Sequence, residues 1–123
     1  MRTIIAGGRD YHFTDADRAW LDRVHAELPI TVVLCGCARG ADTDGETWAT
    51  SRGIPVERYP ANWSAYGRGA GHRRNAEMAA VADALIHFPG GRGTANMVAR
   101  AQARGLVVVA GLGNLPASAV RAL

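Results

Sequence analysis

Five short apolar runs, each followed by a stretch with helical spacing, constrain this chain more than any other feature. The runs are 3–6, 31–35, 55–59, 84–88 and 105–110. Thr14-Asp15-Ala16-Asp17 resembles a capping box and opens a helix through about Leu28, with Trp20, Leu21, Val24 and Leu28 inward. A helix of about ten residues follows the second run and stops at Gly53, a helix-terminating position. Residues 72–82 and 94–104 read as further helices, 114–123 as a terminal one, and 60–70 as the longest loop. Strands alternating with helices imply a parallel sheet covered on both faces, and the near-continuous apolar character of the runs agrees. The expected fold is α/β, a three-layer αβα sandwich around a mainly parallel five-stranded sheet, with residues 1–123 forming a single domain. The third run is the least apolar and is expected at an edge.

In such sheets ligands bind outside the carboxyl ends of the strands. Three of the runs end there in glycine-rich, arginine-bearing turns: Gly7-Gly8-Arg9-Asp10, Gly36-Cys37-Ala38-Arg39-Gly40-Ala41-Asp42 and Pro89-Gly90-Gly91-Arg92-Gly93-Thr94. All three turns therefore land on one edge of the sheet. In the third, glycines let the backbone approach a ligand, and Thr94 sits where a helix N-cap belongs. Free N–H groups and the helix dipole there would face an anion, which is the chemistry of a phosphate cradle.

Composition removes whole classes of function. All fourteen basic residues are Arg, so a P-loop lysine, a Schiff-base lysine and pyridoxal-phosphate chemistry are excluded. Arginine suits bidentate recognition of phosphate or carboxylate. The net charge of +3 is modest and only Arg73-Arg74 are adjacent, which argues against a nucleic-acid tail. The opening residues 1–8 hold too short an apolar run for a signal peptide, and no run approaches a membrane span, so a cytoplasmic protein is expected. Cys35 and Cys37 are too few for a closed zinc site and read as small core residues; His12, His25 and His87 lack ligand spacing. No metal and no cofactor are expected.

The turns recur together with Pro60-Ala61-Asn62-Trp63 and Gly71-His72-Arg73-Arg74-Asn75-Ala76-Glu77-Met78, in order over nearly the whole chain. In this the chain resembles the YspA-type branch of the SLOG superfamily of Rossmann-like folds. That superfamily also holds the LOG-type phosphoribohydrolases, the DprA DNA-processing proteins and sensor domains for nucleotide-derived signals. The resemblance implies nucleotide-ligand binding more firmly than any one reaction. It also implies a homo-oligomer, since related domains pair through helices. The LOG-type signature pairs Met-His-x-Arg-Lys with Pro-Gly-Gly-x-Gly-Thr-x-x-Glu. Here Arg74 matches the arginine, Asn75 stands in place of the lysine, and Met97 in place of the glutamate, with Asn96 the nearest polar group. Loss of that carboxylate argues against the LOG mechanism, because an oxocarbenium-like transition state needs one.

The expected activity is binding of a phosphorylated nucleoside or nucleotide-derived ligand, as a sensor or sequestering protein. Candidate ligand-binding residues are Gly8, Arg9, Arg39, Gly40, Trp63, His72, Arg74, Asn75, Gly90, Gly91, Arg92, Gly93 and Thr94. Trp63 offers a flat face to a base or ribose, or caps the core. Arg39 contacts phosphate or pairs with Asp42. One alternative is a nucleotide N-glycosidase using Asp10, Asp42 or Glu46, although Asp42 also reads as a helix N-cap. Another is DprA-like binding of single-stranded nucleic acid, which the modest charge disfavours. Met78 and Met97 sit at helical spacing and read as core.

Overall fold

The computed structural model describes residues 1–114. Its elements run β1 (Arg2–Ala6), α1 (Asp15–Glu27), β2 (Val32–Cys35), α2 (Ala41–Ser51), β3 (Val56–Arg58), α3 (Trp63–Tyr66), a 3-10 turn (Gly67–Gly69), α4 (Ala70–Val81), β4 (Ala84–His87), α5 (Arg92–Ala103), β5 (Val107–Ala110) and a second 3-10 turn (Leu112–Asn114). The five strands form one sheet in the order β3-β2-β1-β4-β5. Every pairing is parallel, with Ile4 beside both Leu34 and Leu85 at the centre. The expected αβα sandwich is thus present, and β3 lies at an edge as its composition predicts.

Alternation along the strands builds the two sides of the core. Ile5, Val33 and Ile86 face α1 and α2, where they pack with Trp20, Leu21, Trp48 and Phe88. Ile4, Leu34 and Leu85 face the other way, onto Met78 and Ala79 of α4 and Met97 and Ala101 of α5. Both methionines are therefore core residues, as their spacing predicts. Helix α1 begins with the expected box: Asp17 N–H donates to Thr14 Oγ1 (3.1 Å), and Thr14 N–H donates to the Asp17 carboxylate (2.9 Å). The chain leaves α2 through Gly53, whose φ of 71° suits glycine.

Several expectations need correction. Leu28 is not an inward helical residue; it is the C-cap of α1, turned out of the helix at ψ 81°, and is exposed. Cys37 does not share the buried face of Cys35: a φ of 64° swings it away, and its thiol is exposed. The loop 60–70 contains a helical turn, because the Asn62 side chain accepts the Ala65 N–H (3.1 Å) and caps α3. Helix α4 consequently starts at Ala70 rather than His72. Of the expected helix 114–123, Asn114 closes a 3-10 turn and the remainder lies outside the described residues.

Candidate functional site

The strand order reverses between β1 and β4, and in open α/β sheets such a reversal leaves a crevice at the carboxyl ends of the strands. Gly8 knits the surrounding turns together. Its N–H donates to Pro89 O (2.8 Å), and its own carbonyl accepts from Tyr11 N (3.2 Å) and Ala41 N (3.1 Å). Gly40, at φ 77°, crosses directly over this point, and a β-carbon there would run into the carbonyl oxygens of Gly8 and Arg9. A cleft of about 380 Å³ opens between these turns and α4. Ile5, Met78 and Met97 lie buried beneath it, and Gly8, Arg9, Gly36, Asp42, Trp63, Arg68, His72, Arg74, Gly91, Arg92, Gly93 and Thr94 line it.

Helix α5 begins in that wall. Its N-cap is Gly91, with no side-chain cap bond and no acidic residue in the first turn. Thr94 is therefore not the N-cap but the third helical residue; Gly91 O already accepts the Ala95 N–H (3.0 Å) and fixes the start of the helix. The Thr94 hydroxyl lies against Gly90, which has no room for a β-carbon beside it. The first N–H groups of a helix have no intrahelical acceptor. Here those of Arg92, Gly93 and Thr94 belong to residues lining the cleft.

Arg74 is anchored on the opposite wall. It donates to Gly36 O at the end of β2, to Tyr59 O after β3 (3.4 Å) and to Asn75 Oδ1 (3.0 Å). Asn75, only 5% exposed, donates in turn to Gly93 O (3.3 Å) and Asn96 Oδ1 (3.1 Å), and Arg100 also donates to Asn96 (3.2 Å). The chain Arg74–Asn75–Asn96–Arg100 thus ties α4 to α5, and the bond to Gly93 O adds its first turn. Although Asn75 borders the cleft, its amide is committed to the protein and holds the two walls at a fixed separation.

Asp42 is the carboxylate of this cleft, 7% exposed and in the first turn of α2. It is not an N-cap; Gly40 holds that position, and Asp42 instead accepts the Ala38 N–H (3.3 Å) from the preceding turn. Burial pushes its pKa up to about 6, against the opposing pull of the Ala38 and Gly7 N–H groups and of the Arg74 and Arg9 charges. Gly36 leaves the space between Asp42 and Arg74 open: a β-carbon there would sit 2.7 Å from Asp42 Oδ2 and 2.8 Å from Arg74 Nη1.

The structure separates the other carboxylates from this site. Asp10 is exposed and pairs with Arg39 (3.1 Å), so Arg39 does not pair with Asp42. Glu46 pairs with Arg58 and lies within reach of the buried Cys35 thiol (3.8 Å), outside the cleft lining. Gly40 and Gly90 shape the turns from behind. Trp63, 51% exposed, stands at the rim with the Arg9 guanidinium 6.0 Å above its ring. His72 is exposed nearby. Sequence reasoning missed Arg68, which the 3-10 turn places in the wall, and noted Asn96 only as the polar neighbour of Met97; its place in the amide chain is revealed by the pairing of α4 with α5. No group of three or more potential metal-ligating side chains occurs among the described residues.

Fold and cleft together define a class: an open, doubly wound α/β domain with an arginine-rich crevice at its switch point. Residues 1–66 match the family described as YspA, cpYpsA-related SLOG. The chain belongs to that family, whose membership points to nucleotide-related ligands. The chain is also similar to the Gene 61 protein of Mycobacterium phage D29, at 34% identity over 119 residues, covering 88% of this chain and 94% of that protein. No solved structure matches it. No helix among the described residues is long and apolar enough to cross a membrane.

Proposed function

We propose that the cleft binds a phosphorylated nucleoside or nucleotide-derived ligand, with a phosphate at the first turn of α5. The observation that carries this reading is the α5 terminus itself: glycine-capped, without a side-chain cap or acidic residue, and bordering a cleft at the switch point. A phosphate would satisfy its N–H groups, complement the helix dipole and accept from the Thr94 hydroxyl. Arg92, Arg68 and Arg74 line the same cleft, and Arg74 is held in place by Gly36 and Asn75 before any ligand arrives. The flat face of Trp63, 51% exposed at the rim, supplies apolar surface for a nucleoside, while Met78 and Met97 back the cleft from the core.

A second reading, cleavage of the N-glycosidic bond, is favoured by one observation. Asp42 is a buried carboxylate in the cleft whose pKa of about 6 suits a group that must exchange a proton near neutrality. Asp10 and Glu46 lie outside this lining. The test is incubation with nucleoside mono-, di- and triphosphates, following melting temperature and free-base release together. A ligand that raises the melting temperature and is recovered intact supports a sensor or sequestering protein. Base release that Asp42→Asn abolishes establishes the hydrolase. No thermal shift and no release with any nucleotide overturns both readings.

A further inference from the structure

The cleft does not end at Trp63. A second lobe of about 400 Å³ continues past it, sharing Arg9, Gly36, Ala38, Trp63 and Arg74 with the first and adding Cys37, Arg39, Pro60 and Ala61. Its charge differs from that of the first lobe. Three arginines, Arg9, Arg39 and Arg74, line it and, among the described residues, no Asp or Glu does, although Asp10 reaches Arg39 from outside, whereas Asp42 lines the first lobe. Arg9 and Arg39 are held as neighbours by the crossing of their two turns, where Ala41 N–H bonds to Gly8 O (3.1 Å) and Gly40 lies on the Arg9 carbonyl. Arg39 is tied only at the surface, to the Asp10 carboxylate at 3.1 Å, both side chains being well exposed. Exposed pairs of this kind are weak and readily exchanged for a better anion.

We propose that this second lobe is a second anion site, and that the ligand is a nucleotide carrying two separated phosphates. One phosphate lies on the first turn of α5; the other lies between Arg9 and Arg39, with the nucleoside spanning the two beside Trp63. A dianionic phosphate there gains charge-assisted bonds from guanidinium forks that a monophosphate leaves unused. Asp10 competes for Arg39 and sets how strongly the lobe discriminates.

This inference rests on nucleotide binding in the first lobe, and calorimetry separates the two ideas. Nucleoside 5′-monophosphates of the four common bases are titrated against the matching 3′,5′-bisphosphates at fixed salt. The bisphosphate of the preferred base is expected to bind at least about tenfold more tightly, corresponding to one charge-assisted bond. Arg39→Ala is expected to cost the bisphosphate about tenfold more affinity than it costs the monophosphate. Asp10→Asn, a surface change, is expected to widen the bisphosphate advantage several-fold by freeing Arg39. Equal affinities for mono- and bisphosphate in the unaltered protein overturn the second site and leave the first standing. An Arg39→Ala loss of the same size for both ligands overturns it too. Binding of neither ligand removes the reading on which the inference is built.

Discussion

Helices α1 and α5 follow β1 and β4, the two strands that flank the reversal of strand order, yet they begin in opposite ways. The start of α1 is closed by the protein: Thr14 and Asp17 exchange their bonds, Asp15 adds a second acidic residue to the first turn, and Tyr11 Oη donates to Asp17 (2.7 Å). The start of α5 has glycine at the cap, Arg92 at the first helical position and no acidic side chain nearby in sequence. A capping box stabilises a helix by about 1 kcal/mol, so leaving one end bare on a small domain is a stability cost. The bare end is the one that borders the cleft. Helices α2 and α4 likewise start at glycines without a side-chain cap, and α2 differs from α4 and α5 in carrying Asp42 and Asp44 in its first turn.

The contrast collapses most sharply if α5 is given its own negative charge. Gly93 is exposed, is the second helical residue, and has nothing within 4 Å of where a β-carbon would stand. Gly93→Asp should therefore fold normally and keep or slightly raise the melting temperature, because the carboxylate complements the dipole. Nucleotide affinity should fall by about 100-fold, through repulsion and the loss of charge-assisted bonds. Titration calorimetry beside a melting curve reads both effects. Retained affinity would mean that the phosphate is held elsewhere.

The next largest effect concerns Asp42, the carboxylate facing the open end. Its pKa is raised in the folded protein, to about 6, so the native state holds the proton more tightly than the unfolded chain. Stability from this group is fully present below the unfolded value near 4 and is lost as pH rises through about 6. A shift of that size corresponds to about 2–3 kcal/mol across the window. Asp42→Asn keeps the shape without the titration, so urea unfolding at pH 4, 5, 6 and 7 should show a decline in the unaltered protein that the variant lacks. A variant with the same slope would place the proton on another group.

How much of this is legible in the sequence follows from the range of each signal. Thr14-x-x-Asp17 and the glycine turns act within a few residues, so the start of α1, the sheet and the edge on which the cleft opens can all be read directly. Asn62 before Trp63 is an equally local cap, but the short α3 it opens carries too little apolar periodicity to stand out from a loop. What local pattern does not supply is pairing across the fold. That Arg39 meets Asp10 rather than Asp42 depends on how two turns cross at Gly8 and Gly40. That Asn75 braces the cleft depends on α4 lying against α5, which brings Gly93 and Asn96 to its amide. Likewise, Thr94 resembles a cap because Thr is a good one, while the glycine that does cap α5 has no side chain to announce itself.

The smallest effect tests the closed end. Thr14→Ala removes the acceptor for Asp17 N–H and leaves the Asp17 carboxylate with Thr14 N–H and Tyr11 Oη. Loss of one cap bond should destabilise the protein by about 1 kcal/mol. For a domain of this size that lowers the melting temperature by roughly 3–6 °C. Thr14 and Asp17 do not line the cleft, so nucleotide affinity should change far less than with Gly93→Asp. The two substitutions then form a crossed pair: one lowers stability and spares binding, the other lowers binding and spares stability. If Thr14→Ala instead weakened binding as strongly as it weakened folding, the turn from Gly7 to Phe13 would be coupling α1 to the cleft through Gly8, and the two helix ends would not be independent.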